Sequence, residues 1–106
     1  MLGENKAFRQ GDVIISSIIA IPDGACESND KIIAIGEKTS HAHRIPNNGI
    51  VFECPSAKRR FLRVISDGLN ITHEEHLDVV LPVGDYEIKI QREWDWFSEE
   101  IRKVQD

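Results

Sequence analysis

Apolar positions in this chain fall in short runs set between turn residues. Residues 12–21, DVIISSIIAI, are rich in β-branched side chains and stop at Pro22, Asp23 and Gly24. Proline presets the turn there and glycine tolerates positive φ, so the pattern predicts a strand followed by a turn. The polar stretch ACESND (25–30) reads as loop. KIIAIG (31–36) is a compact apolar run closed by Gly36, too short for a core helix, and predicts a buried strand. HAHRI (41–45) continues as a further strand up to the turn PNNG (46–49), and IVFECP (50–55) follows as the next one.

Beyond a connection at SAKR (56–59), RFLRVI (60–65) alternates as a half-solvated strand does, and LDVVLP (77–82) predicts another. DYEIKIQREW (85–94) has the strongest alternation. Tyr86, Ile88 and Ile90 fall on one face and Glu87, Lys89 and Gln91 on the other, the period-two signature of an antiparallel strand with one wet side. After Trp96 the pattern changes: Ser98 precedes Glu99 and Glu100, Ile101 and Val104 are three apart, and Arg102 and Lys103 lie near the end. That is a short capped helix. Six or seven strands at a spacing of about ten residues predict an all-β domain over residues 1–106. The expected form is a small antiparallel β-barrel or sandwich with a short C-terminal helix.

Composition narrows the function classes. A chain of 106 residues that is 41% hydrophobic and 29% charged buries one core. A formal net charge of −5 argues against a surface built to clamp nucleic acid, which is not an expected partner. One local exception is AKRRFLRV (57–64), where Lys58, Arg59, Arg60 and Arg63 surround Phe61. A basic strip with an aromatic platform suits a single strand of nucleic acid. The preferred reading is a solvated strand edge whose cations discourage sheet-to-sheet aggregation. Cys26 and Cys54 have no C-x-x-C spacing, and the first residues contain no apolar stretch of signal-peptide type, so free thiols in the cytoplasm are expected. The apolar runs are far shorter than the roughly 20 residues of a membrane helix, and no membrane partner is expected.

The chain has four histidines, and they fall in two pairs, His41 with His43 and His73 with His76. A strand places alternate side chains on one face, so His41 and His43 point the same way and Ala42 faces opposite. In THEEH (72–76) the order Thr72, His73, Glu74, Glu75 matches a capping box and predicts one helical turn. Such a turn brings His73 and His76, three apart, to one side. Imidazoles with an optional carboxylate from Glu53, Glu74 or Glu75 are a ligand set for a divalent ion such as Zn, Fe, Mn or Ni. With one coordination position open, the ion would supply Lewis-acid chemistry with a neighbouring Glu as base. The competing reading leaves the histidines to hydrogen bonds, to the surface or to a subunit interface, where clustered imidazoles would respond to pH.

His-x-His on a strand resembles the metal-binding motif of the cupins. That family's pattern places a Glu shortly after the second His and a later His behind Pro-x-Gly. Here RIPNNG follows His43 without a Glu, and PVGDYEI carries Pro82 and Gly84 without a histidine, so both ligand positions are missing. The segments RQGDV, IGEKTSHAHRI, THEEH, LPVGDYEIKIQREW and IRKVQD, in that order, resemble a family of small uncharacterised bacterial and phage-associated proteins. This chain has Ser40 where that family usually has Gly, and Trp94 where it commonly has Tyr. The resemblance implies one domain and carries no established activity.

Trp94 and Trp96 share one face of the predicted strand and bury a large area, either in the core or in a homo-oligomer interface. No Gly-x-Ser-x-Gly setting or phosphate-binding glycine loop is present. Two functions from different classes therefore stand. One is a divalent-metal site made by His41, His43, His73 and His76, with any catalytic residues unassigned. The other is a non-catalytic interaction or oligomerisation module of phage or accessory-gene origin.

Overall fold

A computed structural model describes residues 6–35 and 41–91. Within them the fold is all-β and antiparallel. Ten strands follow one another: β1 (Ala7–Gln10), β2 (Val13–Ile18), β3 (Cys26–Ser28), β4 (Ile32–Ile35), β5 (Ala42–Arg44), β6 (Gly49–Cys54), β7 (Arg59–Val64), β8 (Leu69–Ile71), β9 (Val79–Leu81) and β10 (Gly84–Ile90). Six of them form one sheet in the order β1-β2-β10-β7-β6-β3, while β4 pairs with β5 and β8 with β9 in two small ladders. The sheets do not close into a barrel, and the arrangement is sandwich-like. The predicted C-terminal helix, Trp94 and Trp96 lie outside the described residues. Among the described residues no helix is long and apolar enough to cross a membrane.

The alternation in DYEIKI produces the central strand. Tyr86 and Ile88 are buried and face the core, while Asp85 and Glu87 stay on the other face. Across from them, β7 buries Leu62 and Val64 and β2 buries Val13 and Ile15. The two ladders complete this core with Ile33 and Ala34 from β4, Leu69 and Ile71 from β8, and Leu81 from β9. Apolar burial at about 25 cal/mol per Å² is the main force holding the two layers together.

Several expectations change in the structure. ACESND is not wholly loop: Cys26–Ser28 pairs with β6 as the outer strand of the large sheet. The basic stretch is not a strand edge either, because β7 lies inside the sheet between β10 and β6. Its arginines are neutralised from β10, where Arg59 reaches Glu87 at 2.9 and 3.0 Å and Arg63 reaches Asp85 at 2.9 and 3.3 Å. The Arg59 hydrogen bond is the chief cause that holds the Glu87 carboxyl below its ordinary range. Phe61 is fully buried under Arg59, so it offers no stacking platform to a nucleic-acid base.

Candidate metal centre

The site begins at a join between the two small ladders. Arg44, at the end of β5, and Thr72, just after β8, exchange backbone hydrogen bonds of 2.9 Å in both directions. In an antiparallel pair, the residue before one partner sits opposite the residue after the other. His43 therefore faces His73, and their ring centroids are 4.3 Å apart. One step further out, the Ala42 amide donates to the Glu74 carboxylate at 2.9 Å, and the other oxygen of Glu74 pairs with Arg44 at 2.5 Å. The amide and the guanidinium together lower the Glu74 pKa to about 2, with the Ala42 amide the larger cause. Glu74 is thereby committed to holding the join, although its side chain sits at the surface.

The other histidines gather on His73. Its ring lies 5.5 Å from that of His41 and 4.6 Å from that of His76, and His43 lies 6.2 Å from His76. His41 and His43 thus both come to the His73 side of their strand, as period-two spacing requires. The cluster runs from His43, 1% exposed, out to His76 at the surface.

Residues 73–76 do not form the predicted helical turn. They make a bend in which His73 Nδ1 accepts the Glu75 amide at 3.0 Å. The capping box fails because Thr72 gives both its backbone groups to Arg44, and because an imidazole has taken the amide that a helix would use. Glu75 instead brings its carboxylate to 3.6 Å from His41 Nδ1. Partial burial, and then the neighbouring His76, press the His73 pKa downward and keep this ring neutral at lower pH than a free histidine.

Two residues essential to this geometry carry no metal-ligand signal in the sequence. Gln10, at the end of β1 and 2% exposed, donates through Nε2 to the carbonyls of Ile71 and Leu77, both at 2.9 Å. Its Oε1 is then the acceptor for His43 Nδ1 at 2.8 Å. Because an amide oxygen cannot donate, this bond fixes the proton of neutral His43 on Nδ1 and the lone pair on Nε2. Gln10 also ties β1 to both ends of the segment that carries His73 and His76. The second residue is Gly11, which turns β1 into β2 at φ +63° and lies against the His76 ring. A Cβ at this position would meet His76 Nε2 at 2.6 Å. The glycine in RQGDV was the available sequence signal, since a positive φ or a close approach is what such a position requires.

As the rings stand, no group of three or more His, Cys, Asp or Glu side chains among the described residues is arranged to hold a metal ion. The hydrogen bond to His73 Nδ1 supplies a physical reason. It leaves the proton of the neutral ring on Nε2, so neither nitrogen of His73 presents a lone pair toward its neighbours.

The chain belongs to the DUF8820 family, a domain of unknown function, whose model matches residues 9–91. The match spans all four histidines together with Gln10 and Gly11. No curated protein and no solved structure matches the chain.

Proposed function

We propose that this protein binds one divalent transition-metal ion, of the Zn, Fe, Mn or Ni class, through the imidazoles of His41, His43, His73 and His76. The observation that carries this reading is the gathering of the other three rings around His73, at centroid separations of 4.3, 4.6 and 5.5 Å. Imidazoles sharing an ion at a metal–nitrogen distance of about 2.0–2.1 Å have centroids about 4.5–5.3 Å apart for ligand angles of about 90–109°. The cluster therefore needs rotation of rings together with a rearrangement of the 73–76 bend. Imidazole nitrogen suits this group of metals, and a buried hydrogen bond to the second ring nitrogen is the usual support for a ligating histidine. The Gln10 bond to His43 has that form.

His43 is the fixed ligand in this reading, and the 73–76 bend is the adjustable part. Binding through His73 requires it to release the Glu75 amide or to move its proton to Nδ1, and either change rearranges the bend. A bound ion would supply Lewis-acid chemistry, and Glu75, 3.6 Å from His41 Nδ1, would be the nearby carboxylate able to serve as base.

Elemental analysis of the untagged, full-length chain tests the reading. About one equivalent of metal is expected per chain, absent from a His43→Ala/His73→Ala variant. A metal that binds only the folded state stabilises it by about 2.7 kcal/mol at a hundredfold excess over Kd, so a chelator should lower the melting temperature of the loaded protein. Metal-free protein whose melting is unchanged by added Zn, Fe, Mn or Ni salts would overturn the proposal.

A further inference from the structure

Asn48 stands half-buried in the turn before β6 and precedes Gly49, the only Asn-Gly step in the chain. The fold requires glycine at 49, because a Cβ there would strike Leu69 Cδ1 and lie 3.1 Å from Ile45 Cδ1. The Asn48 carbonyl accepts the Ile65 amide at 2.9 Å, which makes these two a hydrogen-bonded pair of the β6–β7 ladder. Gly49, opposite Val64, then turns both its backbone groups away from β7. On that side its carbonyl accepts Lys31 Nζ at 3.0 Å, beyond the end of β3, whose pairing stops at Val51. The Gly49 N–H points the same way and meets no acceptor among the described residues. A main-chain N–H without a protein acceptor is uncommon in a folded chain.

That nitrogen can close a five-membered ring on the side-chain amide carbon of Asn48. Glycine has no side chain to shield it and gives the backbone the freedom that closure needs. The Ile65 bond to the Asn48 carbonyl draws electrons from the same peptide unit, which makes its N–H a better acid. One contact opposes closure: Asn48 Nδ2 donates to the Ser66 carbonyl at 3.1 Å, at an exposed position. The net worth of one hydrogen bond corresponds to roughly two- to tenfold, so this contact slows release of the side chain only by about that factor. Other asparagines are held differently. Asn29 precedes Asp30, whose amide is already donated to Ser28 Oγ at 3.1 Å. Asn70 lies within β8, donates to Asp78 at 3.0 Å and precedes the buried, β-branched Ile71.

We propose that Asn48 is a site of spontaneous deamidation in the folded protein, and that the change loosens the end of the β6–β7 ladder. The Gly49 nitrogen gives its proton to solvent and bonds to Asn48 Cγ; the Cγ–Nδ2 bond breaks, Nδ2 leaves as ammonia, and a succinimide joins the two residues. Water then opens the ring at either carbonyl to give aspartate or isoaspartate at position 48. The net change is one water consumed and one ammonia released, with no oxidation or reduction. The new carboxylate can only accept hydrogen bonds, so the bond to the Ser66 carbonyl is lost and two acceptors face each other. Isoaspartate also adds a methylene to the main chain, which displaces Gly49 from its seat against Leu69 and Leu62. The site is independent of the histidine cluster.

Timed incubation of the full chain at neutral pH, folded and in guanidinium chloride, tests it by peptide mapping and mass spectrometry. The mass gain of an amide becoming an acid is expected at Asn48, as aspartate and isoaspartate, ahead of any gain at Asn29 or Asn70. Its rate in the folded chain should lie within about tenfold of that in the unfolded chain. An Asn48→Ser variant should lack the accompanying gain of negative charge. The converted fraction, separated by charge, should unfold at lower urea concentration than the unconverted one. A folded chain that converts Asn48 more than about a hundredfold more slowly than the unfolded chain, or that converts Asn29 or Asn70 first, would overturn the site. A converted fraction with an unchanged urea midpoint would overturn the loosening of the ladder.

Discussion

Replacing Gln10 by Leu removes three hydrogen bonds, two of them buried, while nearly preserving side-chain volume. The carbonyls of Ile71 and Leu77 lose a donor, and His43 Nδ1 loses its acceptor. Each buried polar group left without a partner costs about 1–3 kcal/mol, so the lower bound for the two buried ones, the Ile71 carbonyl and His43 Nδ1, is about 2 kcal/mol. A domain of this kind has about 5–15 kcal/mol of total stability, which makes the loss large. Urea unfolding followed by circular dichroism reads it directly. With a slope of about 1–3 kcal/mol per molar urea, the midpoint should fall by about 0.7–2 M. A midpoint displaced by less than about 0.3 M would mean that Gln10 does not clamp the segment carrying His73 and His76. The ring nitrogens of His43 give a second readout: Nδ1 should carry the proton in the parent chain, and a protonated Nε2 in the neutral ring would refute the assignment.

Gly11→Ala places a Cβ 2.6 Å from His76 Nε2 at a backbone φ of +63°. The combined strain should cost about 1–3 kcal/mol in urea unfolding and shift the His76 ring resonances, whereas unchanged resonances would show that the ring does not rest there. Glu74, with a folded-state pKa of about 2 against an ordinary 4.5, adds stability that is fully present above about pH 4.5 and disappears as pH falls through 2. The melting temperature of Glu74→Gln should therefore lie below that of the parent at pH 6 and approach it toward pH 2; a gap independent of pH would contradict the ion pair and amide bond described for this carboxylate.

Much of the sheet is legible in the sequence because burial alternates with period two. Tyr86 and Ile88 are buried as their spacing predicts, the turn at Pro22–Gly24 falls between strands, and the turn predicted at Pro46–Gly49 leads directly into β6, which begins at Gly49. β3 and β8 escape notice because three residues are too few to establish a period, and Cys26–Ser28 is polar as well as short. The basic strip is misread as an edge for a different reason. Its neutralising acids, Asp85 and Glu87, sit on a strand far along the chain, and only the β7–β10 register brings Asp85 opposite Arg63 and Glu87, opposite Phe61, within diagonal reach of Arg59. The histidine pairs are visible as pairs, since i, i+2 on a strand is a local property. Their approach to one another is not visible, because it rests on the pairing of Arg44 with Thr72. Gln10 is hidden for the same reason, being an unremarkable polar residue beside a turn until the fold brings His43 to it.

The most direct test of a shared metal site is the long-range ¹H–¹⁵N spectrum of the histidine rings during zinc titration at neutral pH. Ring nitrogens of His41, His43, His73 and His76 should shift together and saturate at one equivalent, with the Glu75 amide moving as the 73–76 bend rearranges. Rings that stay unshifted, or that respond separately at several equivalents of zinc, would contradict a single site.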